Sequence, residues 1–208
     1  MKVFRTALFC FATAAAAGCA TLSRDECLTA DWYGIGVEDG LRGYPLTRIS
    51  GHRKACARHG VTVDMDAYRD GHEAGAREFC RPQNGYQLGR SGKSYPGICP
   101  DDLEDEFVAA YRNGIQIWGI QTKLNSEKKA LQRTRTELAT VQGQLQEKQA
   151  HLIAEGTDAA TRLLLLNETQ QLAEKQGALE NQIRTHEQNL ARLQERLRQT
   201  EQQSPYTH

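Results

Sequence analysis

The sequence predicts a mainly α protein: a small Gly-rich, disulfide-linked helical domain followed by a long antiparallel coiled-coil hairpin. Three observations carry this. Leu124, Leu131, Leu138, Leu145 and Leu152 recur every seven residues, the heptad period of helices packed along a seam. The last 90 residues hold no Cys, a single Pro (Pro205) and a single aromatic residue (Tyr206), so the composition changes near residue 119. Before that point stand all six Cys, four of them (Cys27, Cys56, Cys80 and Cys99) among many Gly and aromatic residues, the composition of a small cross-linked domain. With 39% hydrophobic and 25% charged residues, the chain is too polar for a multi-pass membrane protein and too apolar for a wholly disordered one. Basic and acidic residues balance at 26 each, which gives no electrostatic reason to expect nucleic acid as a partner.

Residues 1–18 read as a signal peptide. Lys2 and Arg5 precede an apolar run, Ala7 to Ala17 broken only by Thr13, which is much shorter than the roughly 20 residues of a spanning helix. The run ends Ala16-Ala17-Gly18-Cys19, which resembles the lipobox of bacterial lipoproteins. That resemblance implies cleavage before Cys19 and acylation of its thiol and amine, palmitate-type chains adding about 0.8 kcal/mol per buried methylene. Ala20 and Thr21 follow, with no Asp after the Cys, and in Gram-negative lipoproteins that pattern implies the outer membrane, facing the periplasm. Cleavage removes two basic residues and no acid, leaving a mature chain with a net charge near −2.

With Cys10 in the signal and Cys19 as the lipid site, Cys27, Cys56, Cys80 and Cys99 remain, an even number in an oxidising compartment. Four Cys allow three connectivities. A helix is expected from Arg24 to Arg42, stopped by Gly43 and Pro45, and a second from Thr47 to Arg58, with Gly60 suited to a left-handed cap. As a hairpin these bring Cys27 toward Cys56. A third helix, capped by Asp64 or Asp66, is expected to run to Cys80 before Pro82. Residues 81–100 read as a Gly, Pro, Ser and Asn-rich loop that a Cys80–Cys99 bridge would close. The favoured pairing is therefore Cys27 with Cys56 and Cys80 with Cys99.

A short motif recurs as Tyr33-x-x-Gly36, Tyr68-x-x-Gly71, Tyr86-x-x-Gly89 and Tyr111-x-x-Gly114. Gly40 and Gly75 extend the first two copies into a bare helical stripe. Glycine inside a helix costs about 1 kcal/mol against Ala, so the stripe points to backbones packed closely together. The copies lie 35, 18 and 25 residues apart, which excludes the constant period of a solenoid. Trp32, Tyr33, Tyr86 and Tyr95 also raise a second reading, an aromatic platform for glycan or peptidoglycan using the 81–99 loop.

The order Glu26-Cys27, Ala30-Asp31-Trp32, Gly36, Asp39-Gly40, Cys56-x-x-His59-Gly60-Val61, Tyr68-x-x-Gly71-x-x-x-Gly75-x-x-x-Phe79-Cys80 and Asn84-Gly85-Tyr86-x-x-Gly89-x-x-Gly92-x-x-Tyr95-x-Gly97-x-Cys99 resembles an uncharacterised family of proteobacterial lipoproteins, a domain of unknown function. The resemblance covers about residues 19–118. It implies the compartment and a Cys-linked helical domain, and brings no activity, cofactor or substrate.

His52, Cys56 and His59 would share one helix face and are residue types that ligate zinc. An exported Cys more often pairs with another Cys, so no metal or other cofactor is expected. Asp31, Glu38 and Asp39 and the run Asp101, Asp102, Glu104, Asp105, Glu106 are candidates for acid chemistry, but after Pro100 the run reads as a dipole-favoured helix start. No nucleophile-elbow, zincin or phosphate-loop motif is present, so catalytic residues are expected to be none.

From Asp102 a helix is expected to reach Ala154, with Lys128, Arg135, Gln142 and Gln149 at its second seam position. Residues 155–158 form the turn, and a second helix runs to about Gln203. There Leu165, Leu172, Leu179 and Leu193 occupy one seam position and Ile183, Leu190 and Leu197 the other, with His186 as the exception. The expected domains are thus 1–18, 19–118 and 119–208. The expected role is non-enzymatic: a membrane-anchored structural or adaptor element that meets a protein partner or another copy through residues 119–208.

Overall fold

The computed structural model describes residues 21–206, and every element among them is helical. The expected signal peptide 1–18 and the expected lipid site Cys19 lie outside the described residues. The chain divides into two compact units between Phe79 and Cys80.

The first unit holds α1 (Arg24–Leu28), α2 (Trp32–Leu41), a single 3-10 turn (Leu46–Arg48), α3 (Ile49–Ala57) and α4 (Met65–Phe79). The single helix expected over Arg24 to Arg42 is two. Ser23 and Glu26 close a reciprocal capping box on α1. The Thr29 hydroxyl then donates to the Asp25 carbonyl at 2.9 Å, a local bond that competes with helix continuation. Gly43, with φ +73°, ends α2, and Asp64 caps α4 by accepting from the Ala67 amide at 3.0 Å. The Cys27–Cys56 disulfide ties α1 to α3, and its sulfurs sit in a core with Trp32, Ile49, Val63 and Tyr68.

What sets the geometry is the crossing of α2 and α4. A Cβ on Gly36 would lie 2.2 Å from the Tyr68 carbonyl oxygen, and one on Gly71 would lie 2.0 Å from that of Tyr33. Gly40 and Gly75 are equally tight, against the carbonyls of His72 and Val37. Only hydrogen fits between these backbones.

The second unit holds α5 (Pro82–Arg90), α6 (Asp101–Ile153) and α7 (Ala159–Gln203). The segment expected to be a loop contains α5, because Pro82 starts a helix well and Gly85, Tyr86 and Gly89 form a face that is buried. This face repeats the first unit's device. A Cβ on Gly89 would lie 2.2 Å from the Tyr111 carbonyl oxygen, and one on Gly114 would lie 2.3 Å from that of Tyr86. The Cys80–Cys99 disulfide closes the segment that joins α5 to α6. The expected boundary after residue 118 falls inside α6, which runs unbroken from the glycine crossing into the hairpin arm.

α6 and α7 pack antiparallel. Glu127 meets His186, Glu137 meets Lys175 and Lys148 meets Glu168, so partner numbers fall along α7 as they rise along α6. Gly156, with φ +84°, makes the turn and the Asp158 carboxylate caps α7. The second seam position of α6 is a correction to the expected one. Thr134 and Val141 are buried, with Glu127 and Lys148 half-buried, whereas Lys128, Arg135, Gln142 and Gln149 are exposed. A lone Leu every seven residues leaves the choice of i+3 or i+4 open. Desolvating Thr and Val costs far less than desolvating Arg and Gln, and that decides it. At its far end α7 returns to the glycine crossing: Leu197 and Tyr206 pack against Tyr86, Ala110 and Ile117, and the Ser204 hydroxyl donates to Asn113 Oδ1 at 2.7 Å.

Because the crossings leave no room for a methyl group, Gly71→Ala and Gly89→Ala should each destabilise their unit by about 3 kcal/mol, the upper range for overpacking against a backbone that cannot move aside. Gly143, also inside a helix but with nothing near it, should behave oppositely. Gly143→Ala should stabilise by about 0.5 to 1 kcal/mol. Urea unfolding followed by circular dichroism measures all three.

Candidate functional site

The first unit brings together side chains from four elements and the segment before α1. Asp39, on the packed side of α2 beside Gly40, is 4% exposed. Its carboxylate accepts from Arg48 Nε at 2.9 Å, from His52 Nε2 at 2.7 Å and from the Tyr68 hydroxyl at 2.8 Å. The close α2–α4 crossing is what brings Tyr68 within reach. With Nε2 donating to Asp39, His52 Nδ1 accepts from the Thr21 hydroxyl at 2.9 Å. Arg48 also lies over the Tyr44 ring, 3.9 Å from its centroid, and His72 Nε2 donates to the Tyr44 carbonyl. Burial, and then the bond to Asp39, push the Tyr68 phenol well above its ordinary value, so it stays a donor.

Thr21, His52 and Asp39 stand in the order hydroxyl, imidazole, carboxylate, an order that can move a proton from the hydroxyl to the ring. Here Asp39 is shared with Arg48 and Tyr68, and no buried side-chain polar atom among the described residues lacks a partner. The cluster is a cross-brace that ties α2, α3, α4, the 3-10 turn and the chain before α1 to one carboxylate. A cleft of about 460 Å³ opens beside it, lined among others by Thr21, Asp31, Glu38, Asp39, Arg48 and His52.

The residues weighed in sequence are distributed differently. Of the three zinc-type candidates, Cys56 is in a disulfide, His52 is in the brace and His59 is exposed. No group of three or more metal-ligating side chains occurs among the described residues. Asp31 precedes α2, and Glu38 pairs with Arg42 at the surface. Asp101, Asp102 and Glu104 form the first turn of α6, where Glu104 accepts from the Tyr95 hydroxyl at 2.7 Å. Among the aromatics, Trp32 and Tyr86 are core residues and Tyr33 is exposed. Tyr95 packs on Phe107, and burial first of all pushes its phenol up to about 12. Tyr86 is therefore turned away from any ligand at the surface. Sequence reasoning weighed Asp39 and His52 but did not join them. The available signal was Asp39's position next to Gly40: an acid carried on a glycine stripe enters the helix contact and needs donors there.

Asp39→Ala leaves His52, Tyr68 and the partly exposed Arg48 without their shared acceptor. It should cost about 3 kcal/mol, the low end for breaking a buried ion pair, whereas Tyr68→Phe should cost about 1 kcal/mol. Urea unfolding of both variants checks this, and an Asp39→Ala protein as stable as wild type would contradict the brace.

Residues 31–116 match the family model described as "Protein of unknown function (DUF2799)". The matched span contains all four Tyr-x-x-Gly copies and both glycine crossings, and leaves α7 and most of α6 outside. The chain is also similar to the "Uncharacterized protein YfiL" of Escherichia coli (strain K12), with 30% identity over 71 residues, 34% of this chain. The matched segment spans about half of that relative, 54% of its length. No solved structure matches. Residues 31–116 are thus similar to the DUF2799 family, and in this chain the matched span is built on two glycine-crossed helix pairs.

Proposed function

We propose that the protein is a lipid-anchored component of the Gram-negative cell envelope, held at Cys19 to the periplasmic face of the outer membrane, and that it acts without catalysis as a structural or adaptor element. Its working part in this reading is the α6–α7 hairpin. The observation that carries it is the hairpin's tip. Ile153 is 81% exposed, Leu163 71%, Leu164 65% and Leu166 52%. Four consecutive leucines step about 100° each around a helix, so one alone can face the seam, and that one is Leu165. The other three stay more than half exposed, yet the rest of the hairpin's outer surface is rich in Gln and balanced charge. Clustered exposed apolar side chains at the end of a polar arm are what a docking surface for a protein partner or a second copy requires.

The test is photocrosslinking in cells with a photoreactive residue at Leu164 or Leu166. The expected result is a covalent adduct with another protein or with a second copy of the chain, absent when the same residue replaces the exposed Gln188. Equal yields at the tip and at Gln188, or no adduct at either, would contradict the proposal.

A further inference from the structure

Between Leu41 and Val63 the chain contains five Arg or Lys residues and no acid. Two of the five are neutralised: Arg42 by Glu38 and Arg48 by Asp39. Arg53, Lys54 and Arg58 are exposed on α3 and its C-cap, and none forms an ion pair among the described residues. The opposite side of the helix, with Ile49, His52, Ala55 and Cys56, is buried. The outward side is thus a cationic strip without a counter-charge of its own. The nearest acids in sequence are Asp39 and Asp64, and each is already occupied, Asp39 by the brace and Asp64 by the α4 cap.

A second observation says what faces this strip. Thr21, the first described residue, is seated on α3: its hydroxyl bonds to His52, and its methyl lies 3.1 Å from where a Gly51 Cβ would be. Lys54 and Arg58 follow Gly51 by three and seven residues, so they stand on the same side of the helix as the position that Thr21 covers. Cys19 precedes Thr21 by two residues, and two residues of chain reach about 7 Å at most. Resting on the lipid anchor of the previous section, the acylated residue would then be tethered by this short reach of chain to the side of α3 that bears Lys54 and Arg58.

We infer that this face of α3 lies against anionic phospholipid headgroups beside the anchor, with Arg53, Lys54 and Arg58 pairing with headgroup phosphates. The acyl chains hold the protein to the membrane. The cationic strip fixes how the first unit is turned on its surface, which a single attachment point does not do.

The test uses the mature full-length chain carrying Cys19→Ser, so that only the protein surface is read, in flotation with vesicles rich in phosphatidylglycerol or made of phosphatidylcholine alone. Binding is expected to the anionic vesicles only and is lost in about 0.5 M salt, where the Debye length shrinks to a few ångströms. Each cation near an anionic surface contributes roughly fivefold, so Arg53→Glu with Lys54→Glu and Arg58→Glu should weaken binding by roughly a hundredfold or more. The same charge change on α7, Arg184→Glu with Arg192→Glu and Arg196→Glu, should leave it nearly unchanged. Absence of binding to anionic vesicles, equal binding to neutral ones, or equal loss with the α7 set would overturn the inference. The anchor itself is read separately, by fractionating cells that express the wild-type chain. A wild-type chain in the soluble fraction would remove the anchor without touching the vesicle result.

Discussion

Both units depend on one contact: the backbone carbonyl of a tyrosine resting against the Cα of a glycine on the facing helix, made reciprocally. Tyr33 faces Gly71 while Tyr68 faces Gly36, and Tyr86 faces Gly114 while Tyr111 faces Gly89. Approach this close brings Cα–H groups to carbonyl oxygens and adds dispersion contacts that a larger residue would hold apart. The glycines forfeit helix propensity, about 1 kcal/mol apiece against Ala, so the packing has to outweigh that loss. In the first unit the same approach brings the Tyr68 hydroxyl to Asp39, and the carboxylate then gathers Arg48 and His52. The brace is a consequence of the crossing, and the seating of the chain before α1 on His52 is a consequence of the brace.

The motif itself was legible in the sequence, together with the close packing that it demands. What the spacing hid was the pairing. The copies repeat at 35, 18 and 25 residues because the first pairs with the second and the third with the fourth, each pair joined by a different connection. The mainly α architecture and the hairpin with its turn near residues 155–158 followed from heptads and caps, which are local signals. The misses have physical reasons of the same kind. The break at Thr29 rests on one side-chain bond to a carbonyl. α5 is short and rich in Gly, and it exists because its face is buried against α6. The seam of α6 turned on the difference between desolvating Thr134 and Val141 and desolvating Arg135 and Gln142. The brace was only partly legible for another reason: Asp39 beside Gly40 marked the acid, but Tyr68 lies 29 residues from Asp39 and Thr21 lies 31 from His52, so the fold alone names the partners.

The DUF2799 match covers the part of the chain that contains both crossings, and the hairpin lies almost wholly beyond it. The two parts are nevertheless one covalent helix at their junction, since α6 begins in the second crossing and ends at the leucine-bearing tip. A rigid helix shared in this way couples the second crossing to the arm. Leu197, Ser204 and Tyr206 close the loop by returning the end of α7 to Tyr86 and Asn113. The matched span thereby supplies the base on which the arm is mounted.

Native-state amide hydrogen exchange tests the primacy of the crossings most directly, because it ranks segments by the free energy needed to open them. The slowest amides of the first unit should lie in α2 and α4 between Ile35 and Leu41 and between His72 and Phe79. Those of the second should lie in α5 and around Gly114 in α6, with protection falling toward Ile153 and Leu163. Slowest exchange in α3 beside the Cys27–Cys56 bridge, or in the middle of the hairpin arm, would mean that the disulfide or the leucine seam holds the fold and the glycine crossings do not.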